Sequence, residues 1–252
     1  MPKPLWTPTN ELIANANITK FGKTLEKQWS VDIKDSRQLI QFSIDEREKF
    51  WLSLKDFAGF IAATWGERVL INGDKMPGAK WFPDAKINFA ENLLMHRGDA
   101  DAIVFRGEDQ VEQRISRDEL HDAVSLVAQA LKAEGISKGD KIGAYVANVP
   151  EAVITMLAAA SLGATWSSCS PDFGVNGVLD RFGQIQPKVM ITVDGYFYNG
   201  KTIDICAKVE EIVKNLPSIK RVVVIPYVDP TPNISAIPNA ISLKNYTDDF
   251  NP

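Results

Sequence analysis

The chain has 252 residues, 45% of them hydrophobic and 24% charged, with a formal net charge of -4. That is an ordinary balance for a globular protein with room for one large domain or a domain with an appendage. The acidic excess, with Lys and Arg interspersed among Asp and Glu, argues against nucleic-acid binding, which needs clustered basic residues to displace counterions. Two cysteines, Cys169 and Cys206, lie far apart without metal-ligand spacing and suit a reducing, cytoplasmic setting.

The start, Met1 to Trp6, lacks an apolar signal core. The first hundred residues carry five of the six tryptophans: Trp6, Trp29, Trp51, Trp65 and Trp81. Ser43-Ile44-Asp45-Glu46 has the spacing of a capping box. The helix it would open repeats apolar residues at Ile44, Phe50, Trp51, Leu54, Phe57, Ala58 and Ile61, which predicts a broad buried stripe. Gly66, Gly73 and Met76-Pro77-Gly78 interrupt the pattern. An aromatic-rich helical wrap over residues 1–100 is expected, packed on a later core.

From Ala102 the texture changes. Ala102–Phe105 and Val111–Ile115 read as a hairpin around Gly107-Glu108-Asp109. Ser116-Arg117-Asp118-Glu119 is a second capping box, and its helix places Leu120, Val124, Val127, Ala128 and Leu131 on one face before Gly135. Strands at Lys141–Val146, Ala164–Ser168, Lys188–Val193 and Arg221–Ile225 then alternate with helices at Glu151–Leu162, Val175–Ile185 and Ile203–Leu216. Ala152–Trp166, the longest apolar stretch, is broken by Thr155, Ser161 and Gly163 and is too short to span a bilayer. Short apolar strands alternating with helices predict an α/β fold: a doubly wound, mostly parallel sheet over 101–226, covered by helices on both faces. Residues 227–252, rich in Pro, Asn and Asp, read as a linker without a terminal helix.

In such sheets, ligands gather at the carboxyl ends of the strands. That singles out the loops Ala147–Val149, Cys169–Gly174 and Asp194–Lys201. Hydroxyls in Ser167-Ser168-Cys169-Ser170 can donate to phosphates or carboxylates; alternatively, Ser170 or Asp172 caps the next helix. Gly195 to Lys201 either presents aromatic faces to a base and Lys201 to a phosphate, or is a strand-to-helix loop with exposed rings. Asp172-Phe173-Gly174 spells a kinase tripeptide without the companion motifs, and His96, His121 and Arg181 read as surface or structural residues. No catalytic residue and no metal site emerges from the residues themselves.

Trp81-Phe82-Pro83-Asp84-Ala85-Lys86-Ile87-Asn88-Phe89-Ala90-Glu91-Asn92-Leu93-Leu94 resembles the amino-terminal signature of acetyl-CoA-synthetase-type enzymes of the adenylate-forming superfamily. Gly139-Asp140-Lys141-Ile142, Pro150-Glu151-Ala152 and Gly163-Ala164 resemble the next core elements. The run from Trp166 to Phe182, with Gln184 to Lys188 and Tyr198-Asn199-Gly200-Lys201, is more similar to the acetoacetyl-CoA synthetase family than to acetyl- or propionyl-CoA synthetases. The resemblance implies part of the large domain of a cytoplasmic AMP-forming ligase of lipid and ketone-body metabolism. The full enzyme would use ATP, Mg2+ and CoA on acetoacetate. It also implies a missing carboxyl-terminal portion, because the Gly-rich loop ending in Pro-Lys does not occur here. A fragment of this kind would be inactive alone and would bind none of these ligands tightly. The alternative is a stand-alone CoA- or nucleotide-binding module, or an interaction module, that retains only the scaffold. By the same resemblance, Tyr198, Asn199, Gly200, Lys201 and Asp172 would contact CoA. Tyr198 and Lys201 stand where acetyl-CoA synthetases place arginines, and Pro171 and Asp172 where those relatives have glycines.

Overall fold

The computed structural model describes residues 4–252, so Met1–Lys3, the beginning of the segment searched for a signal core, lie outside the described residues. The chain forms two compact units that divide between Ile87 and Asn88.

In the first unit, helices α1 (Asn10–Asn15), α2 (Asn17–Trp29), α3 (Ser36–Asp45) and α4 (Arg47–Ala58) precede a two-residue ribbon, β1 (Leu70–Ile71) with antiparallel β2 (Lys80–Trp81). Thr9 caps α1, and the Asp35 carboxylate caps α3 by accepting the Arg37 and Gln38 amides at 2.9 Å. The capping box expected at Ser43–Glu46 is not formed. Ser43 lies inside α3, donating its hydroxyl to the Ile40 carbonyl at 2.7 Å, and Glu46 precedes α4 without a side-chain cap. The stronger cap eight residues upstream starts the helix early, because Asp35 satisfies two orphan amides where Ser43 would satisfy one.

The broad buried stripe is also corrected. Four residues, Phe21, Leu25, Leu39 and Phe42, form the buried cluster of this unit, while Ile44, Trp51, Phe57 and Ile61 are exposed. The buried residue of α4 is Ser53, whose hydroxyl accepts from Trp29 Nε1 and donates to Gln28 Oε1, both at 2.8 Å. Phe21 meets Phe50 edge-on at 5.5 Å between ring centroids, so the aromatics pack mainly on one another.

The second unit opens with α5 (Phe89–Leu93), capped by Asn88. The Asn88 side-chain amide also donates to the carbonyls of Ala160 (3.2 Å) and Ser161 (3.0 Å), tying α5 to the core of this unit. β3 (Asp101–Gly107) and β4 (Val111–Ser116) form the expected hairpin. α6 (Arg117–Ala133) has its capping box, with the Glu119 amide donating to Ser116 Oγ at 3.2 Å and the Ser116 amide to Glu119 Oε2 at 2.7 Å. Then follow β5 (Lys141–Tyr145), α7 (Pro150–Ser161), β6 (Thr165–Cys169), α8 (Val175–Ile185), β7 (Val189–Val193), β8 (Gly195–Tyr198), β9 (Lys201–Asp204), α9 (Cys206–Lys214), β10 (Arg221–Ile225), β11 (Ala240–Ser242) and α10 (Leu243–Thr247).

The sheet runs β11-β10-β7-β5-β6 with every neighbouring pair parallel. α6 packs against α7, and α8 against α9, the two helical layers of a doubly wound sheet. Central β7 is buried along its whole length, as its unbroken Val-Met-Ile-Thr-Val run requires. Edge strand β6 is only partly buried, which is why it tolerates Thr165, Ser167 and Ser168.

Two segments differ from expectation. Asp194–Lys201 is not a strand-to-helix loop: β8 and β9 pair antiparallel, turning at Asn199 (φ 50°) and Gly200 (φ 70°), and α9 therefore begins after Ile203. Positive φ at both residues is what a two-residue hairpin turn demands, and Asn-Gly supplies it at low cost. The tail is not a linker either. β11 extends the sheet beside β10, Ile237 and Tyr246 are buried, and α10, capped by Ser242, packs on α6. A three-residue strand has too little pattern to be seen locally, but the free edge of β10 provides its pairing groups.

Candidate functional site

The strand order creates a switch point. From β5 the chain moves outward to β6, then crosses back over β5 to β7 and continues toward β10. Loops leaving the carboxyl ends of β5 and β7 therefore diverge and leave a crevice between them. A cleft of about 650 Å³ lies there, within the second unit. Its walls come from all three loops singled out in the sequence: Ala147 and Asn148 after β5, Ser170, Pro171 and Asp172 after β6, and Tyr196, Phe197 and Tyr198 after β7. The hairpin residues Val104 to Glu108, and Tyr227 after β10, complete it.

The loop after β6 is held from beneath. Tyr145 is fully buried at the end of β5, and its hydroxyl donates to the carbonyls of Pro171 (2.6 Å) and Phe173 (2.7 Å). Burial, reinforced by the nearby Tyr196, Asp172 and Cys169, pushes this phenol up to about 12, so it remains a donor at neutral pH. The Arg181 guanidinium stacks over the Phe173 ring at 4.3 Å. Neither Ser170 nor Asp172 caps α8; its N-cap is Gly174, with no side-chain cap. Asp172 is exposed on the cleft wall, free to face a ligand.

Asp194 organises the opposite side. Its carboxylate is buried and accepts the amides of Tyr227 (2.8 Å), Val228 (3.1 Å) and Asp229 (2.8 Å). Its backbone amide donates to Ile225, and its carbonyl accepts from Ile205. One carboxylate thus joins the ends of β7 and β10 and sets Tyr227, whose ring meets Phe197 edge-on at 5.3 Å. Gly107 admits this arrangement, since a Cβ there would lie 2.3 Å from the Tyr227 hydroxyl.

Of the five residues expected to contact CoA, Asp172 and Tyr198 line the cleft, and Tyr198 is 66% exposed. Asn199, Gly200 and Lys201 lie outside its wall. The amides of Asn199 and Gly200 donate to the two carboxylate oxygens of Glu108, at 2.9 and 3.4 Å, so they are not open to a phosphate. Arg106 is the cationic side chain of the cleft and pairs with Glu112 at 3.2 Å. Rings and carboxylates therefore dominate, a surface suited to a flat base or a hydroxyl more than to a cluster of phosphates.

Arg106, Glu108, Tyr145 and Tyr227 were not singled out from the sequence, and Asp194 only as the first residue of a strand-end loop. Their partners lie 26 to 92 residues away, apart from the Arg106–Glu112 pair. The Asn-Gly turn was the one local signal that would have revealed the second hairpin.

Burial raises the Cys169 thiol, and burial with the Asp204 and Asp194 charges pushes Cys206 up to about 11, so neither is a ready thiolate. His121 contacts Asp122 on α6. Among the described residues, no group of three His, Cys, Asp or Glu is arranged to hold a metal ion, and no helix is long and apolar enough to cross a membrane.

Comparison with known proteins agrees with this architecture. Residues 89–247 match the family described as AMP-binding enzyme, and residues 36–93 match the acetyl-coenzyme A synthetase N-terminus. The chain is 44% identical over 225 residues to the acetoacetyl-coenzyme A synthetase of Rhizobium meliloti, covering 89% of this chain and 34% of that protein. It is 37% identical to the acetoacetyl-CoA synthetase of Danio rerio, covering 97% of this chain and 37% of that one. Among solved structures, the acetoacetyl-CoA synthetase of Streptomyces lividans superposes with a TM-score of 0.87 at 35% identity, covering 98% of this chain and 38% of that chain. The chain thus spans little more than a third of the length of these relatives. A parallel switch-point sheet, its cleft and a family match across residues 89–247 lead to one assignment: the chain belongs to the AMP-binding enzyme family.

Proposed function

We propose that this chain is the part of an AMP-forming acetoacetate–CoA ligase that frames the approach of CoA. The whole enzyme would join acetoacetate to AMP with release of pyrophosphate and then pass the acyl group to the CoA thiol. The observation that carries the reading is the meeting of three strand-end loops in one aromatic cleft, in a chain similar over most of its length to acetoacetyl-CoA synthetases.

ATP and Mg2+, when bound by the whole enzyme, would supply the adenylyl group and the positive charge that offsets the departing pyrophosphate. This chain's own contribution is positional. Tyr198 offers an exposed ring for a nucleobase to stack on, and Asp172 accepts from an exocyclic amine or a ribose hydroxyl. Asn199 and Gly200 shape the turn, and Lys201, on the strand leaving it, is left to meet a phosphate outside the cleft. Tyr145 and Asp194 keep the two walls apart. On this reading the chain works in the cytoplasm, is inactive by itself and binds neither ATP nor CoA tightly.

Mixing the chain with ATP, Mg2+, acetoacetate and CoA should form no acetoacetyl-CoA. Replacing the corresponding third of the Rhizobium meliloti relative with this chain should give acetoacetate-dependent pyrophosphate release. A soluble chimera that activates other short acids but not acetoacetate would overturn the substrate assignment. Micromolar CoA binding to the isolated chain would instead favour a stand-alone binding module.

A further inference from the structure

The carboxylate of Glu108 lies at the tip of the β3–β4 hairpin, where its backbone has φ 52°, and reaches the tip of the β8–β9 hairpin. Its two oxygens accept the adjacent amides of Asn199 (2.9 Å) and Gly200 (3.4 Å), 91 and 92 residues further along the chain. Both donors belong to the turn that carries Tyr198 at one shoulder and Lys201 at the other. The turn is exposed and projects from the sheet, and without this bond its tip would be free to swing on the four-residue strands behind it.

We infer that Glu108 is a positioning residue for the CoA site: it clamps the second hairpin against the first and so fixes where the Tyr198 ring stands on the cleft wall. The inference rests on the CoA reading above. Glu108 occupies the two amides that would otherwise form an anion-binding turn. It thereby also decides what the wall offers a ligand, a ring face at Tyr198 in place of a phosphate cradle at Asn199-Gly200. Gln at this position keeps one acceptor oxygen, enough for the shorter bond to Asn199 but not for both; Ala keeps none.

The test uses amide exchange and CoA titration of the chain, both followed by 1H–15N NMR. In the parent chain the Asn199 and Gly200 amides should be protected from solvent. Glu108→Ala should lower that protection about fivefold at each amide, the size expected for one modest net hydrogen bond, and E108Q should restore it at Asn199 but not at Gly200. The amides of β5, β7 and β10 should not change in either variant, which separates a lost clamp from a loosened fold. Addition of CoA to millimolar concentration should shift signals of Asp172 and Tyr198, with apparent affinity about fivefold weaker in E108A and partly recovered in E108Q. Unchanged protection in E108A overturns the clamp, and lost protection with unaltered CoA affinity overturns its positioning role. Absence of CoA-induced shifts in the parent chain would overturn the CoA reading, while the exchange data would still decide the clamp.

Discussion

The two units of the chain solve the same burial problem with different means. Residues 88–252 own a continuous parallel sheet whose central strands are sealed between helices, and their cluster of buried side chains draws on nearly every element. The first unit has helices, aromatic rings and a two-residue ribbon, yet among the described residues its cluster of buried apolar side chains comes to four. The difference lies in backbone pairing. A sheet gathers distant apolar segments at fixed spacing, whereas amphipathic helices without a shared sheet depend on ring-on-ring contacts such as Phe21 with Phe50 and Phe57. Rings such as Trp51 and Trp81 accordingly stay exposed in the first unit.

Cavities of equal chemistry should therefore cost unequal amounts. Ile191→Ala, at the centre of β7, should destabilise the second unit by about 4 kcal/mol, because the flanking strands cannot collapse into the void. Leu25→Ala should cost about 2 kcal/mol, since loosely held rings can move into the space. Five of the six tryptophans lie before Ile87, so fluorescence follows the first unit, and amide exchange in β5, β7 and β10 follows the second. Equal costs in urea titrations read by these probes would remove the contrast.

Asp194→Asn probes the cleft side of the larger unit at nearly constant shape. The amide has one acceptor oxygen and no charge for the three donors at Tyr227, Val228 and Asp229, and about 3 kcal/mol should be lost. Exchange should speed most at those three amides.

The smallest effect concerns Glu151, in the first turn of α7. Burial holds its carboxyl above the ordinary glutamate range. The native chain then binds this proton more tightly than the unfolded chain, so stability declines as pH rises through the window between the two. Glu151→Gln removes the titration. It should be more stable than the parent at neutral pH, with the gap closing below about pH 4, where the acid is protonated in both states. Thermal melts across pH 3 to 8 check the sign; a gap that widens toward acid would contradict it.

How much of this was legible beforehand varied with the range of the interaction. β10 and α8 fall at their expected residues, and the Ser116 capping box forms, because each reports a period or a cap contained within a dozen residues. The three strand-end loops were readable as ligand-facing because strand direction alone places them at one edge. Ser43 misled because a local motif was judged without Asp35, its stronger competitor upstream. The tail misled because β11 exists only where β10 offers an unpaired edge.

By itself, then, the sequence determined the alternation of strands and helices, the parallel sheet and the loops from which a cleft could be built, since these follow from periodicity, caps and chain direction. Only the tertiary structure decided which loop residues share a wall, that Glu108 occupies the amides of Asn199 and Gly200, and that Asp194 ties β7 to β10. Those bonds join residues 33 to 92 positions apart. No local propensity encodes such pairs, because the free energy that selects them appears only after the sheet has brought their ends together.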